Sequence, residues 1–192
     1  MENDVSGLSR RDALRKAGTV LGAVAAGELL AAAALPAIAQ AESAIFGPLH
    51  HVGIVVAPNY DDAKAKLAAG LGVDWYPPRV DTLTLRLENG HVGTYTDRVL
   101  LSRSGPPYLE LLDAVPGTFF NAVPPYVVAE LGYVVGPDNL ATASAMLTDA
   151  GMPLVGTIAT EPQTIPVGVA WHRISPGFLI ELLAFDPVAS MT

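Results

Sequence analysis

The chain contains no cysteine. Disulfides, thiolate metal sites, a cysteine nucleophile and a lipid-modified cysteine anchor are thereby excluded. Positive charge is scarce as well. Eleven Lys and Arg stand against 19 Asp and Glu, for a formal net charge of −8 over 192 residues. Nucleic acid and anionic membranes are bound through basic patches, so neither is an expected partner. Also missing are a Gly-rich phosphate loop, a Ser nucleophile elbow and the paired-His helix of zinc proteases. What is present is apolar: 51% of residues are hydrophobic and 16% charged, a globular composition rather than a disordered one.

Part of the apolar excess lies at the amino terminus. Arg10 and Arg11 follow Ser9, an Ala-rich stretch runs over residues 19–34, and LPAIAQA offers small-residue cleavage points after Ala39 or Ala41. A basic start, an apolar middle and a small-residue end make an export signal. The paired arginines resemble a twin-arginine signal, whose cargo crosses folded. Glu28 interrupts the apolar run, which argues against a retained membrane anchor. Residues 1–41 are therefore read as a removable signal, and residues 42–192 as a single exported domain, periplasmic or extracellular, without stable membrane association after cleavage. About 150 residues suffice for one good core.

The remainder is internally duplicated. HHVGIVVAPNYDDAKAKLAAGLG (50–72) and AELGYVVGPDNLATASAMLTDAG (129–151) align with Gly53 on Gly132 and Gly72 on Gly151. Each copy reads as a strand, a Pro-containing turn, a helix and a C-terminal Gly. Each then runs into alternating, β-rich sequence, with Asn89-Gly90 marking a hairpin in the first and His91 just beyond it in the turn. The first copy carries a few extra residues in its middle strands, and VPGTFFNAVPPY between the copies reads as a packed crossover. The pattern predicts an α+β fold of two βαβββ modules, about 48–114 and 128–186. Their strands form one curled mixed sheet, a cup or barrel, with the helices outside.

Period-two alternation puts His51, Gly53 and Val55 on one face of a first strand, and Tyr108, Glu110 and Leu112 on one face of a fourth. In the second copy Glu130 takes the place of His51, and Glu181 that of Glu110. These four are candidate metal ligands, and the carboxylates interrupt otherwise apolar strands. Burying such charges unpaired costs several kcal/mol, and three carboxylates around one cavity repel one another. A divalent cation removes both penalties, and one imidazole with carboxylate oxygens suits Mn, Fe, Co, Ni or Zn. In WHRISPGFLIELL, a two-residue turn at Pro176-Gly177 pairs Ser175 with Phe178. Counting outward sets His172 opposite Glu181, an imidazole that would neutralise part of the charge without metal or move a proton. His50 is expected to face the other side or the turn, and Arg173 to face away and be solvated. Asp97 and Arg98 read as ordinary strand charges, and Tyr95, Tyr108, Trp75 and Trp171 as pocket wall or core.

LHHVGIVV, YLELLDAVPGT, LGYVV, WHRISPGFLIELL and the paired modules resemble the vicinal oxygen chelate superfamily. That group includes glyoxalase I, methylmalonyl-CoA epimerase, bleomycin- and fosfomycin-resistance proteins and extradiol dioxygenases. The resemblance covers about residues 48–186. It implies a divalent metal on the first- and fourth-strand positions of both modules, with His51, Glu110 and Glu181 matching residue types the family uses. Glu130 departs from it, since many metal-binding members place His or Gln there; it either ligates or acts as a base. The two-His-one-carboxylate set of dioxygenases is lacking. The implied activity is a glyoxalase-like, metal-dependent isomerase, epimerase or lyase. It would act on a small, partly apolar, oxygen-bearing substrate through an enolate or oxyanion, with Glu130, Glu181 or His172 moving the proton. Two alternatives share the fold: a metal-free acid/base isomerase or cyclase, and a ligand-binding or sequestering protein without catalysis. The arrangement is compatible with a homodimer.

Overall fold

The structure is a computed structural model that describes residues 43–56, 59–121, 128–160 and 166–191. The export segment and part of the crossover lie outside the described residues. After a helical turn at Ser43–Phe46 come β1 (His51–Val56), helix α1 (Tyr60–Leu71), β2 (Arg79–Leu87), β3 (Val92–Leu101) and β4 (Tyr108–Asp113). The second set is β5 (Val128–Val134), helix α2 (Leu140–Asp149), β6 (Leu154–Ile158), β7 (Val169–Ser175) and β8 (Phe178–Leu183), followed by a 3-10 turn at Val188–Ser190. This is βαβββ twice. The first copy's surplus sits in β2 and β3, of nine and ten residues, against five and seven for β6 and β7.

The eight strands close into a barrel in the order β1-β4-β3-β2-β6-β7-β8-β5. Within each module the first strand runs parallel to the fourth, β1 with β4 and β5 with β8. The modules meet at two antiparallel seams, β1 with β5 and β2 with β6. The second seam is short: Leu85, Arg86 and Leu87 face Ile158, Thr157 and Gly156. A closed barrel leaves no bare strand edge, and the two modules are thereby joined into one sheet.

Apolar side chains point both ways because both sides of much of the sheet are covered. Val55, Val99, Leu112, Val128, Trp171, Leu179 and Leu183 pack in one buried cluster with Val115 and Phe120. The crossover supplies aromatic mass to it: Phe119 and Phe120 lie 5.2 and 5.7 Å, ring centre to ring centre, from Trp171. This agrees with the packed crossover expected from its Phe and Pro content, over the part that is described. Outside, α1 covers Trp75, Leu100 and Leu111 with Tyr60. Asp61 and Asp62 stand in its first turn, where the helix dipole favours them. Gly72 ends it in the left-handed conformation at φ 69°, which glycine adopts without steric cost. Helix α2 covers Ala170 and Leu182 with Leu140, Ala143 and Leu147. Among the described residues no helix is long and apolar enough to cross a membrane.

One register expectation is corrected. Ser175 does pair with Phe178, but the ladder shifts between Arg173 and Ser175, and the next pairs are Arg173 with Leu179, His172 with Ile180 and Trp171 with Glu181. Ile174 is an extra residue on its strand. A one-residue slip turns every following side chain to the opposite face. His172 therefore lies under α2, away from Glu181. Its Nδ1–H donates to the Met152 carbonyl oxygen (2.9 Å), so its Nε2 accepts the Ser144 hydroxyl (2.9 Å). Nothing in this pairing suits a proton shuttle at Glu181; both ring nitrogens are used to tie α2 and its C-terminal loop to β7. The same slip turns Arg173 onto the face of Trp171 and Glu181 rather than away from it; it is half-buried rather than freely solvated and clamps Glu88 at 2.8 and 3.0 Å.

Burial, partly offset by the Met152 carbonyl, lowers the His172 pKa below its ordinary 6.5. The folded state then holds fewer protons than the unfolded chain in mild acid. This contribution to stability is complete above pH 6.5 and is lost as the pH falls below that value. Urea unfolding between pH 7 and pH 5 should show wild type losing stability relative to His172→Gln, by about 1.4 kcal/mol per pH unit at most. A constant difference between the two proteins would refute the assignment.

Candidate metal centre

The β1–β5 seam builds the site by symmetry. Across it His51 faces Gly132 and Gly53 faces Glu130. On the flanks Gly53 is the partner of Glu110 on β4, and Gly132 that of Glu181 on β8. Each glycine thus lies between two polar residues, and the side chain from across the seam occupies the space above it. A Cβ on Gly53 would come within 2.6 Å of Glu130 Cγ, and one on Gly132 would overlap the His51 imidazole. The two glycines that anchor the sequence repeat are the floor of the site. Close approach of a side chain to backbone is what glycine permits there.

His51, Glu110, Glu130 and Glu181 converge: one ligand atom from each can be chosen so that all lie within 4.8 Å of one another. Their exposures are 0, 6, 1 and 8%, so water enters from the side of Glu110 and Glu181. His51 Nε2 is 3.0 Å from Glu181 Oε2 and 3.2 Å from Glu110 Oε2, but the angles do not make hydrogen bonds and Nε2 has no such partner. Neither carboxylate oxygen of Glu130 meets a donor. Burial with several unpaired acceptors and one unpaired ring nitrogen, all aimed at one point, is what a set of ligands for a divalent cation looks like. Imidazole nitrogen with carboxylate oxygen is a suitable donor set for a hard or borderline ion.

The metal-free electrostatics are correspondingly tense. Burial, followed by the charges of Glu181 and Glu110, raises the Glu130 pKa well above 4.5. Burial raises Glu110 to about 7, with His51 opposing the shift and Glu181 adding to it. Burial disfavours the charged form of His51, but Glu110 and Glu181 together outweigh it and hold the imidazolium up to about 9. With no donor at hand, Glu130 can gain a hydrogen bond by carrying the proton itself, toward Glu110. The site without metal thus pushes Glu130 and Glu110 toward their neutral forms and His51 toward its charged one, an assembly held together by protons where a cation would serve.

Two residues were missed from the sequence. His50 does not turn away. Its Nδ1 lies 2.9 Å from His51 Nδ1 and its Nε2 3.3 Å from Asp186 Oδ1. It precedes β1, so strand alternation does not apply to it. Asp97 is half-buried, and burial, then the charge of Glu110, raises it to about 7. Its direct partner across β2–β3 is Asp81. Alternation with Tyr95 and Val99 placed Asp97 on the inner face and could have found it. Arg98 is on the outside, over the Tyr60 ring at 3.8 Å and paired with Asp113 at 3.0 Å. Trp75 and Trp171 are core. Tyr108 is half-buried, 5.1 Å from the His50 ring, and His91 is in the turn, its N–H bonded to Asn89 Oδ1 at 2.9 Å.

No protein-family model matches the chain, and no curated protein does. Solved structures include three of the genomically encoded fosfomycin resistance protein FosX from Listeria monocytogenes, each at a TM-score of 0.25. A mutant complexed with Mn(II) and 1S,2S-dihydroxypropylphosphonic acid is 10% identical, over 76% of this chain and 98% of that one. The monoclinic form at pH 5.75 is 9% identical, over 73% and 93%. A complex with Mn(II) and sulfate is 10% identical, over 76% and 98%. A likeness this slight carries no chemistry from one chain to the other.

Two outcomes follow from the geometry. Gly132→Ala should displace His51, destabilise the protein by about 1–3 kcal/mol and abolish Zn(II) binding. Gly70→Ala, in α1 with open space around it, should stabilise by up to about 1 kcal/mol and leave binding intact. Equal effects of the two in calorimetry would contradict the floor assigned to Gly132. Cation binding must also expel the site's protons. Titration at pH 7 in buffers of different ionisation enthalpy should show net release of protons on binding, with affinity rising from pH 6 to pH 8. A pH-independent affinity would contradict this.

Proposed function

We propose that the chain is a metal-dependent enzyme of the vicinal oxygen chelate type, with His51, Glu110 and Glu181, with or without Glu130, as the ligands of one divalent cation. The observation that carries the reading is Glu130: a buried carboxylate with neither oxygen hydrogen-bonded, in a group of four ligand-bearing side chains. Leaving such a group uncompensated costs several kcal/mol. The ion's identity stays within Mn, Fe, Co, Ni or Zn. When bound, such an ion supplies Lewis-acid polarisation of the oxygens it holds.

The chain's own residues contribute the rest. The barrel's apolar interior excludes water, which strengthens each electrostatic interaction at the site. If Glu130 stays off the ion, it is the base and acid of choice: burial and its neighbours favour its protonated form. Glu181, on the side open to water, is the second candidate. A substrate that fits is small, partly apolar and carries two neighbouring oxygens. The reaction is an isomerisation, epimerisation, elimination or ring opening through an enolate or oxyanion, without redox change.

A metal-free acid/base isomerase or cyclase is the second reading. It is favoured by the close approach of His51 Nε2 to Glu181 and Glu110, which neutralises charge without an ion. We further propose export through a twin-arginine signal at Arg10-Arg11. A reporter fused behind residues 1–41 should stay in the cytoplasm when both arginines are changed to lysine.

Elemental mass spectrometry of the purified protein tests the main reading. About one divalent ion per chain is expected, lost in Glu181→Ala and in Glu110→Ala. Turnover of a panel of 2-oxo thiols, acyl-CoA esters and enolisable ketones should fall with chelation and return with metal. Turnover without metal, after attempted reconstitution, would favour the second reading. Tight binding without turnover of any member would favour a sequestering protein.

A further inference from the structure

The ring of His51 has two nitrogens, and the site uses one. Nε2 faces the carboxylates; Nδ1 faces backward, 2.9 Å from His50 Nδ1. Two ring nitrogens at that distance share one proton between them, so exactly one side donates and the other accepts. With His51 neutral, two polarities are open. If His50 Nδ1 donates, His51 Nδ1 is a lone pair, and a neutral His51 carries its proton on Nε2, where a cation would have to sit. If His51 Nδ1 donates, a neutral His51 presents a bare Nε2 to the three carboxylates.

Asp186 breaks the tie. Its Oδ1 lies 3.3 Å from His50 Nε2 and is an acceptor, so it favours the His50 tautomer with the proton on Nε2. That leaves His50 Nδ1 as a lone pair. The arrangement is held at each link. The His50 backbone is fixed by its N–H to the Gly132 carbonyl (2.9 Å) and its carbonyl to the Tyr108 N–H (2.8 Å). Its ring stands at 90° to that of His51. Asp186 Oδ1 also accepts the Val188 N–H (2.8 Å), which ties the chain after β8 back onto the start of β1.

We propose that Asp186 and His50 are positioning residues for His51: the carboxylate places the His50 proton on Nε2, His50 Nδ1 accepts the His51 Nδ1–H, and His51 Nε2 is left as the nitrogen directed at the carboxylate cluster. Its consequence for metal affinity rests on the metal-centre reading above. Partners of this kind behind a ligating imidazole typically change affinity 10- to 100-fold when removed.

Nitrogen-15 spectra of the histidine rings read the proton positions directly. In the zinc-free proteins at about pH 10, where His51 is neutral, wild-type His50 should be protonated on Nε2 and bare on Nδ1. Asp186→Ser keeps a side-chain oxygen for the Val188 N–H but is too short to reach His50; it should move proton density to His50 Nδ1 and weaken Zn(II) binding about tenfold. His50→Phe keeps a ring against Tyr108 and should weaken binding at least as much, while Gly70→Ala should leave both readouts unchanged. A wild-type His50 protonated on Nδ1 would overturn the proposal, as would an Asp186→Ser protein with wild-type spectra and affinity. If wild type takes up no zinc, the metal reading fails, and the proton position on His50 still decides the polarity of the relay.

Discussion

Everything in this barrel is arranged around a carboxyl group that water does not reach. Glu130 sits on an inward position of β5, almost wholly buried and without a donor for either oxygen. A carboxylate in that state is tolerated in two ways: by holding a proton, which its raised pKa reflects, or by holding a cation. The neighbours make the second way available, because Glu110, Glu181 and His51 bring their own donor atoms to the same point. The rest of the fold serves to keep that point fixed and dry. The β1–β5 seam sets the register, α1 and α2 cover the outside, and the aromatic crossover fills the interior around Trp171.

The duplication explains why the geometry is economical. One strand pattern, a polar residue followed two positions later by glycine, occurs in both modules: His51 and Gly53, Glu130 and Gly132. Antiparallel pairing sets each polar residue opposite the other copy's glycine. Parallel pairing with the fourth strand then brings Glu110 beside Gly53 and Glu181 beside Gly132. A single-residue shift at the seam would send all of these side chains outward. The glycines hold the register as much as they make room, since any side chain at their positions collides with a member of the site.

The architecture was legible in the sequence because it is periodic and repeated. The Gly53–Gly132 alignment located both modules, and period-two alternation chose the inward faces of β1, β4, β5 and β8. What was not legible depended on breaks in that periodicity. The extra residue at Ile174 has no signature in WHRISPGFLIELL, so His172 was counted onto the wrong face; its partners are Ser144 and Met152. His50 lies one residue before β1, where alternation has no force, and its partner Asp186 is 136 residues away. Asp97 obeyed the alternation and was overlooked because a charge among threonines reads as solvated.

The central claim is that four side chains form one cation site. The most direct measurement is anomalous diffraction from crystals of the protein grown with Mn(II) or Zn(II). The account predicts a single strong peak bonded to His51 Nε2 and to oxygens of Glu110 and Glu181, with Glu130 ligating or hydrogen-bonded beside it. A map with no peak at this position under saturating metal, and with His51 and the carboxylates still paired to one another, would contradict it.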